Sequence, residues 1–291
     1  MNMADPRKIL ILGHNGFIGS HLSSYLDRHA SMEVVGRSLP SVDLTRQENC
    51  QQLSAHFDKD TVLIILAAVK RQFGDSLSVY MQNMEITRNI ADLIEANPVQ
   101  RVIYFSSAAV YGEETENLDI SEETEVNPTS FYGIAKYSSE CVLRKICRES
   151  EVSLVCLRPP LIYGQGDQGR TYGPSGFSQS AMEAEQITLW GDGNELREFI
   201  YIEDVCRIIE RLVSRDTVPA VLNVASGNRY TFSDVIDVLR KEFPDLKTAT
   251  RERSKDKVDN AFDPTLLRSI CGEEFSFTGL EKGIKAIIHD R

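Results

Sequence analysis

The chain has no apolar run long enough to span a bilayer and no apolar leader near Met1. The expectation is therefore a cytoplasmic location with no membrane contact. Positive charge is in short supply: 32 Lys and Arg against 43 Asp and Glu leave a net charge of −11. That deficit argues against nucleic acid or an anionic membrane as a partner. An anionic ligand must then be held by local cations rather than by the overall field. Paired metal-ligand spacings are missing too. The six cysteines (Cys50, Cys141, Cys147, Cys156, Cys206 and Cys271) show none, so no metal is expected and the thiols read as buried or incidental groups in a reducing compartment. Tryptophan occurs once, as Trp190, and reads as packing in a core or a smaller lobe. Internal repeats and low-complexity segments are absent.

What the sequence does have is an alternation. Strands are predicted near residues 8–12, 33–35, 62–66, 101–106 and 153–157, and helices near 17–29, 46–56, 76–96 and 132–150. This rhythm predicts an α/β fold with a doubly wound parallel sheet. A chain of 291 residues, 42% of them hydrophobic, can bury a sizeable core. The glycine-rich, polar stretch from Gly164 to Gly176 predicts a loop over the site. The remainder mixes short strands and helices and predicts a smaller lobe.

A glycine turn, Gly13-His14-Asn15-Gly16-Phe17-Ile18-Gly19, follows the apolar run Ile9-Leu10-Ile11-Leu12. Such a run suits a strand buried on both faces. The glycines let the backbone turn and approach phosphate oxygens, and the N–H groups opening the next helix bind the anion. Gly13, Asn15, Gly16, Phe17, Ile18 and Gly19 are therefore candidate dinucleotide ligands, and His14 is positioned by the backbone. Further along, Tyr132 and Lys136 are four residues apart, on one face of a helix. A nearby ammonium favours the phenolate and suits the tyrosine to general acid/base work. Ser107 closes the apolar segment Val102-Ile103-Tyr104-Phe105-Ser106. That sets a hydroxyl at the carboxyl end of a strand, where open α/β sheets bind ligands. Ser107, Tyr132 and Lys136 are the candidate catalytic set.

Taken with these motifs, the chain resembles an extended short-chain dehydrogenase/reductase of the nucleotide-sugar epimerase, dehydratase and reductase family. The likeness covers nearly the whole chain. It includes Ile64-Ile65-Leu66-Ala67-Ala68, Asn83, Leu157-Arg158-Pro159-Pro160-Leu161-Ile162-Tyr163-Gly164, Gly191-Asp192-Gly193, Arg197–Val205 and Leu222–Gly227. The resemblance implies a Rossmann-type domain over 1–163, joined by 197–226, and a substrate-binding lobe from 164–196 and 227–291. It implies cofactor contacts at Leu66, Ala67, Ala68 and Pro159, and adenine contacts at Asp43 and Leu44. Asn83 and Arg158 are implied to be structural. A homodimer packed through the 76–96 and 132–150 helices is implied by analogy.

The second strand ends in Val35-Gly36-Arg37-Ser38 with no carboxylate. NAD-binding folds place an acidic residue there for the ribose hydroxyls. Arg37 and Ser38 instead suit a 2′-phosphate, or Arg37 is a solvated loop residue. NADP(H) is the preferred cofactor on this reading, with NAD(H) possible. This half is similar to GDP-fucose synthases, which use NADPH. Family dehydratases carry Asp-Glu after the catalytic Ser/Thr, where this chain has Ala108 and Ala109; the epimerising synthases carry a cysteine at Ala109 and a later histidine. Those departures leave hydride transfer at one carbon.

For the nucleotide-diphosphate sugar, the candidates are Lys70, Ser107, Ala108, Arg197 and Arg253, with Arg71 and Tyr172 also lining the pocket. Arg197 offers a guanidinium fork to phosphate. Arg253 matches a family arginine by resemblance, or is a surface charge. Leu161 stands where relatives use asparagine. Three readings stay open: a reductase of a nucleotide-linked 4-keto-sugar, a 4-epimerase with retained NAD, and a silent dinucleotide-binding sensor.

Overall fold

Isoleucine, leucine and valine dominate the central strands, and every residue from Ile9 to Leu12 and from Val62 to Ile65 is buried. Burial on both faces is what a parallel sheet covered by helices requires. The computed structural model describes residues 6–69, 74–114, 116–169, 173–253 and 256–289. In chain order the elements begin β1 (Lys8–Leu12), α1 (Phe17–His29), β2 (Glu33–Arg37), α2 (Gln47–Gln51), β3 (Thr61–Ile65), α3 (Leu77–Ala96) and β4 (Arg101–Phe105). They continue with β5 (Asn117–Ile120), α4 (Phe131–Glu149), β6 (Ser153–Arg158), β7 (Leu161–Tyr163), α5 (Gly173–Met182), β8 (Ile187–Trp190), β9 (Leu196–Arg197) and β10 (Phe199–Tyr201). The last are α6 (Ile202–Val213), β11 (Val221–Asn223), β12 (Tyr230–Thr231), α7 (Phe232–Glu242), β13 (Thr248–Arg251), β14 (Asn260–Phe262), α8 (Thr265–Cys271) and α9 (Leu280–His289).

The chain divides into two compact units. The first comprises Met1–Glu113, Glu125–Arg158 and Cys206–Leu222. The second comprises Glu114–Thr124, Pro159–Val205 and Asn223–Arg291.

In the first unit the six-stranded sheet runs β11-β6-β4-β3-β1-β2, and β2, β1, β3, β4 and β6 pair in parallel. The chain leaves β1 for β2 on one side and returns to β3 on the other, so a switch point lies between the carboxyl ends of β1 and β3. One sheet face packs Leu10, Leu12, Leu63, Ile65, Val102, Tyr104 and Cys156 with Ile86, Ile90 and Ile94 of α3 and Leu143 of α4. Buried Thr87 of α3 and Ser139 of α4 join by a hydroxyl–hydroxyl hydrogen bond of 2.7 Å. Arg101, 1% exposed, starts β4. Its guanidinium donates to Leu212 O at 2.5 Å, Asp216 O at 3.1 Å and Ser153 Oγ at 3.3 Å.

The second unit is built from two-stranded pairs, β10-β7, β12-β9, β13-β8 and β14-β5, with α5, α7 and α9 packed together. The structure changes three expectations. The helix predicted over 46–56 is α2 followed by a separate 3-10 turn, Ser54–His56, because Leu53, 1% exposed, turns into the core and tightens the chain. The 164–176 loop gives way to α5 at Gly173, where Pro174 sits in the first turn and its missing N–H costs nothing. Trp190 is 41% exposed, because β8 alternates buried and exposed positions and it falls on the outer register under the Arg251 guanidinium. No helix among the described residues is long and apolar enough to cross a membrane. None of their His, Cys, Asp and Glu clusters can hold a metal.

Candidate functional site

The turn after β1 is shaped by backbone packed on backbone. A Cβ on Gly19 would lie 2.2 Å from Gly13 O, and one on Gly13, at φ +94, would lie 2.8 Å from Ala67 N. Ala67 N and Leu66 N both donate to Leu12 O at 2.9 Å. This places Gly13, Leu66 and Ala67 together at the switch point. Among the described residues no side chain caps α1, whose N-cap is Gly16, so the N–H groups opening the helix at Phe17 and Ile18 are available to an anion. A dinucleotide pyrophosphate suits this turn, because Gly13 and Gly19 let the backbone pack closer than any side chain would allow and the uncapped helix start faces the anion with N–H groups. Asn15 is exposed and donates its amide to Leu39 O at 3.2 Å. Val69 N donates to Asn83 Oδ1 at 2.9 Å, and Asn83 Nδ2 donates back to Val69 O at 3.1 Å. Asn83 therefore pins the segment that contains Ala67 and Ala68. Lys70 and Arg71 lie outside the described residues, as does Tyr172.

Beside the turn, a cavity of about 520 Å3 is lined by His14, Asn15, Gly36, Arg37, Ser41 and His56. Gly36 is needed there, since a Cβ would meet the His14 ring at 2.4 Å. The His14 Nδ1 is buried with no hydrogen-bond partner among the described residues. Arg37 donates to Gly36 O at 2.8 Å and its Nη2 lies 2.8 Å from His56 Nε2. Burial, the Arg37 charge and Lys8 all hold the His56 pKa below its ordinary value, against Glu33 and Asp58. A neutral ring can accept the Arg37 N–H. His56 went unnoticed in the sequence, because it stands nineteen residues from Arg37 with no motif around it. Ser38 Oγ donates to Leu39 O at 3.3 Å. The Asp43 carboxylate accepts from Thr45 N and Oγ1 at 3.0 and 2.6 Å, which holds its pKa down. Leu44 is buried in the core.

At the carboxyl end of β4, Ser107 caps a 3-10 turn, Ala108–Tyr111, its Oγ accepting from Ala109 N at 3.2 Å. Gly133 lets α4 press against that turn, for a Cβ there would lie 2.7 Å from Ala109 O. The approach sets Tyr132, one residue earlier, beside the Ser107 turn. Lys136 is 5% exposed; its Nζ donates to Phe105 O at 2.6 Å and stands 5.8 Å from the Tyr132 ring centroid. Burial pushes the ammonium's pKa down to about 8, with Glu140 opposing. Glu140, itself buried, takes two hydrogen bonds from Arg158 at 3.0 and 2.6 Å, and Arg158 also donates to Tyr111 at 3.0 Å. Ser106 donates to the same carboxylate. Glu140 is a second residue the sequence did not single out; its place one turn beyond Lys136 was the available signal.

The remaining candidates, Pro159, Arg197 and Arg253, lie in the second unit. There Arg197 and Arg253 converge on one carboxylate, Glu195, the third residue not anticipated. Gly191, at φ +60, makes room for Arg253, whose Nε would be 2.4 Å from a Cβ at that position.

Comparison with known proteins gives the site its context. A GDP-6-deoxy-D-talose 4-dehydrogenase from Aggregatibacter actinomycetemcomitans is 25% identical across 98% of each chain. A dTDP-L-rhamnose 4-epimerase from Burkholderia thailandensis is 27% identical across 83% of each. Among solved structures, an NAD dependent NDP-hexosamine 5,6-dehydratase involved in tunicamycin biosynthesis superposes with a TM-score of 0.84 at 26% identity, covering 97% of this chain and 96% of its own. The description "NAD dependent epimerase/dehydratase family" matches residues 9–225, a span holding the glycine turn, Ser107, Tyr132 and Lys136, and the chain belongs to that family.

Proposed function

We propose that the protein is an NADP(H)-dependent reductase of a nucleotide-linked 4-keto-sugar. When bound, the nicotinamide supplies the hydride. Tyr132 gives its phenolic proton to the sugar O4 as the carbonyl is reduced. Ser107 donates a hydrogen bond that orients this oxygen. Lys136, anchored to Phe105 O, holds the nicotinamide ribose and lowers the cost of the phenolate. Ala108 and Ala109 present methyl groups where dehydration or C3/C5 epimerisation needs acids and bases, so the protein carries out one proton transfer per turnover.

The observation that carries the reading is Arg37 at the end of β2, lining the cavity beside the glycine turn where a carboxylate would serve NAD. A cofactor gripped by its 2′-phosphate suits exchange after each turnover. The relative named for 4-dehydrogenation of a GDP-6-deoxy sugar supports net redox chemistry at C4. The relative named as a 4-epimerase supports the second reading, in which the same three residues serve a retained NAD. The partners are a nucleotide-diphosphate sugar and a second copy of the chain. The homodimer is supported by exposed Leu77 and Met81 on α3 and Phe131 and Ile134 on α4.

A panel of nucleotide sugars, followed by NADPH absorbance and product NMR, tests the reading. Stoichiometric NADPH oxidation with a 4-keto-6-deoxy nucleotide sugar is expected. Protein purified with NAD bound, turning UDP-glucose into UDP-galactose without added cofactor, overturns it in favour of the epimerase.

A further inference from the structure

Glu195 sits between two arginines. Arg197 donates from Nη2 to Glu195, and from Nη1 to Leu196 O at 2.8 Å and to Val258 O. Arg253 Nη1 donates to Glu195 Oε2 at 2.5 Å. Each carboxylate oxygen is thus held by a different guanidinium. The cluster is only partly open to solvent: the side chains of Arg197, Glu195 and Arg253 are 23%, 14% and 19% exposed. Arg253 Nη2 stands 3.6 Å from Asp192 Oδ1, an ion pair too long for a hydrogen bond, and is buried with no hydrogen-bond partner among the described residues. A guanidinium with five donors has one end spoken for and the other unsatisfied, a costly arrangement unless another acceptor arrives.

The geometry points to Glu195 as a built-in stand-in for a diphosphate: it neutralises the Arg197–Arg253 clamp in the empty protein and must be displaced when a diphosphate-bearing ligand binds. Two guanidinium groups this close repel unless an anion lies between them. A carboxylate offers two oxygens in a plane, the pattern a phosphate also presents to arginine. The same N–H groups cannot serve both. Glu195 is free to leave, because it lies outside the strands, in the turn between β8 and β9. Its rotation breaks no ladder hydrogen bond. Arg197, by contrast, is tied to two backbone carbonyls and stays. Displacement uncovers two guanidinium ends and brings the idle Arg253 Nη2 into use.

This inference rests on the nucleotide-diphosphate reading for its natural ligand, and its test is made independent of the sugar. Inorganic pyrophosphate is titrated calorimetrically into NADPH-saturated protein, so that the glycine turn is already filled. Glu195→Gln keeps the shape and removes the charge, and is expected to tighten pyrophosphate about tenfold, the difference between a charge-assisted competitor and a neutral one. Adding Arg253→Met is expected to abolish that gain. Glu281→Gln, which removes a carboxylate paired with Lys241 and Lys285 on the surface, is expected to leave affinity unchanged. Thermal melts confirm that each variant is folded. Unchanged, weaker or undetectable binding by folded Glu195→Gln overturns the inference, as does a gain that survives Arg253→Met or is matched by Glu281→Gln. If pyrophosphate tightens as expected while no nucleotide sugar oxidises NADPH, the stand-in role holds and the substrate reading falls.

Discussion

The two units present their candidate anion-binding groups by different means. In the first, the glycine turn after β1 offers backbone N–H groups, and its shape is set by glycines whose Cβ atoms would strike Gly13 O or Ala67 N. In the second, Arg197, Arg253 and Glu195 offer side chains whose positions depend on one another. A backbone cradle is written into a short stretch of chain and needs only a strand before it and a helix after it. A side-chain cluster is assembled from residues 191–197 and 253–259, and no local spacing announces it. The first is preorganised, since its shape is held by Gly13 N and Gly16 N donating to Arg37 O and Gly13 O while the N–H groups opening α1 carry no side-chain cap among the described residues. The second is self-neutralised by Glu195.

The comparison is broken most severely by separating chemistry from grip. Tyr132→Phe removes the proton donor and keeps the ring. Turnover is expected to fall by roughly two to four orders of magnitude, while NADPH affinity by fluorescence titration stays within a factor of about two. Gly19→Val attacks the backbone cradle itself. Overpacking against Gly13 O is expected to cost about 3 kcal/mol, or roughly a hundredfold in dinucleotide affinity. Gly279→Ala in the second unit, with open space at its Cβ, is expected to change neither affinity nor melting temperature.

The second unit's dependence on titrating side chains is sharpened at Glu198. Burial raises its carboxyl from 4.5 to about 7, in spite of hydrogen bonds from Gly227 and Ser226. The native state therefore holds this proton more tightly than the unfolded chain does. The resulting stability is fully present below pH 4.5 and is lost as pH rises through 7, a change on the order of 3 kcal/mol. Urea melts of Glu198→Gln across this window are expected to be flatter than those of the unmutated protein; parallel profiles would remove Glu198 from the account. The smallest effect short of none tests the Arg37 grip in the first unit. Arg37→Ala is expected to weaken NADP(H) by about 1–3 kcal/mol and leave NAD(H) nearly unchanged. Equal calorimetric affinities of the unmutated protein for the two cofactors would reduce Arg37 to a loop residue.

Most of what was legible in the sequence belongs to the backbone. Ile9 to Leu12 announced a strand buried on both faces, and the alternation that follows announced the parallel sheet. Tyr132 and Lys136 were legible because a helix fixes residues four apart on one face. The interruption after Gln51 was not, since it depends on where Leu53 finds its core. Trp190 was misread as packing because exposure on a two-stranded pair follows register, and hydrophobicity alone does not fix register. His56, Glu140 and Glu195 escaped because each matters through a partner that only the folded chain supplies.

Arg101 carries a consequence for how the protein is made. Its side chain is buried at the start of β4, yet the carbonyls that receive it belong to Leu212 and Asp216. A ribosome adding about 5–20 residues per second needs roughly 6–23 s to make the 115 residues from Arg101 to Asp216. Through that interval the guanidinium has no carbonyls to enter the interior with, and burying it alone is costly. The sheet edge receiving β11 also stays open until the chain reaches residue 223. The nascent first unit thus waits, unfinished, while nearly all of β5 to α6 is synthesised, and a stall before Leu212 leaves a Rossmann half that cannot close.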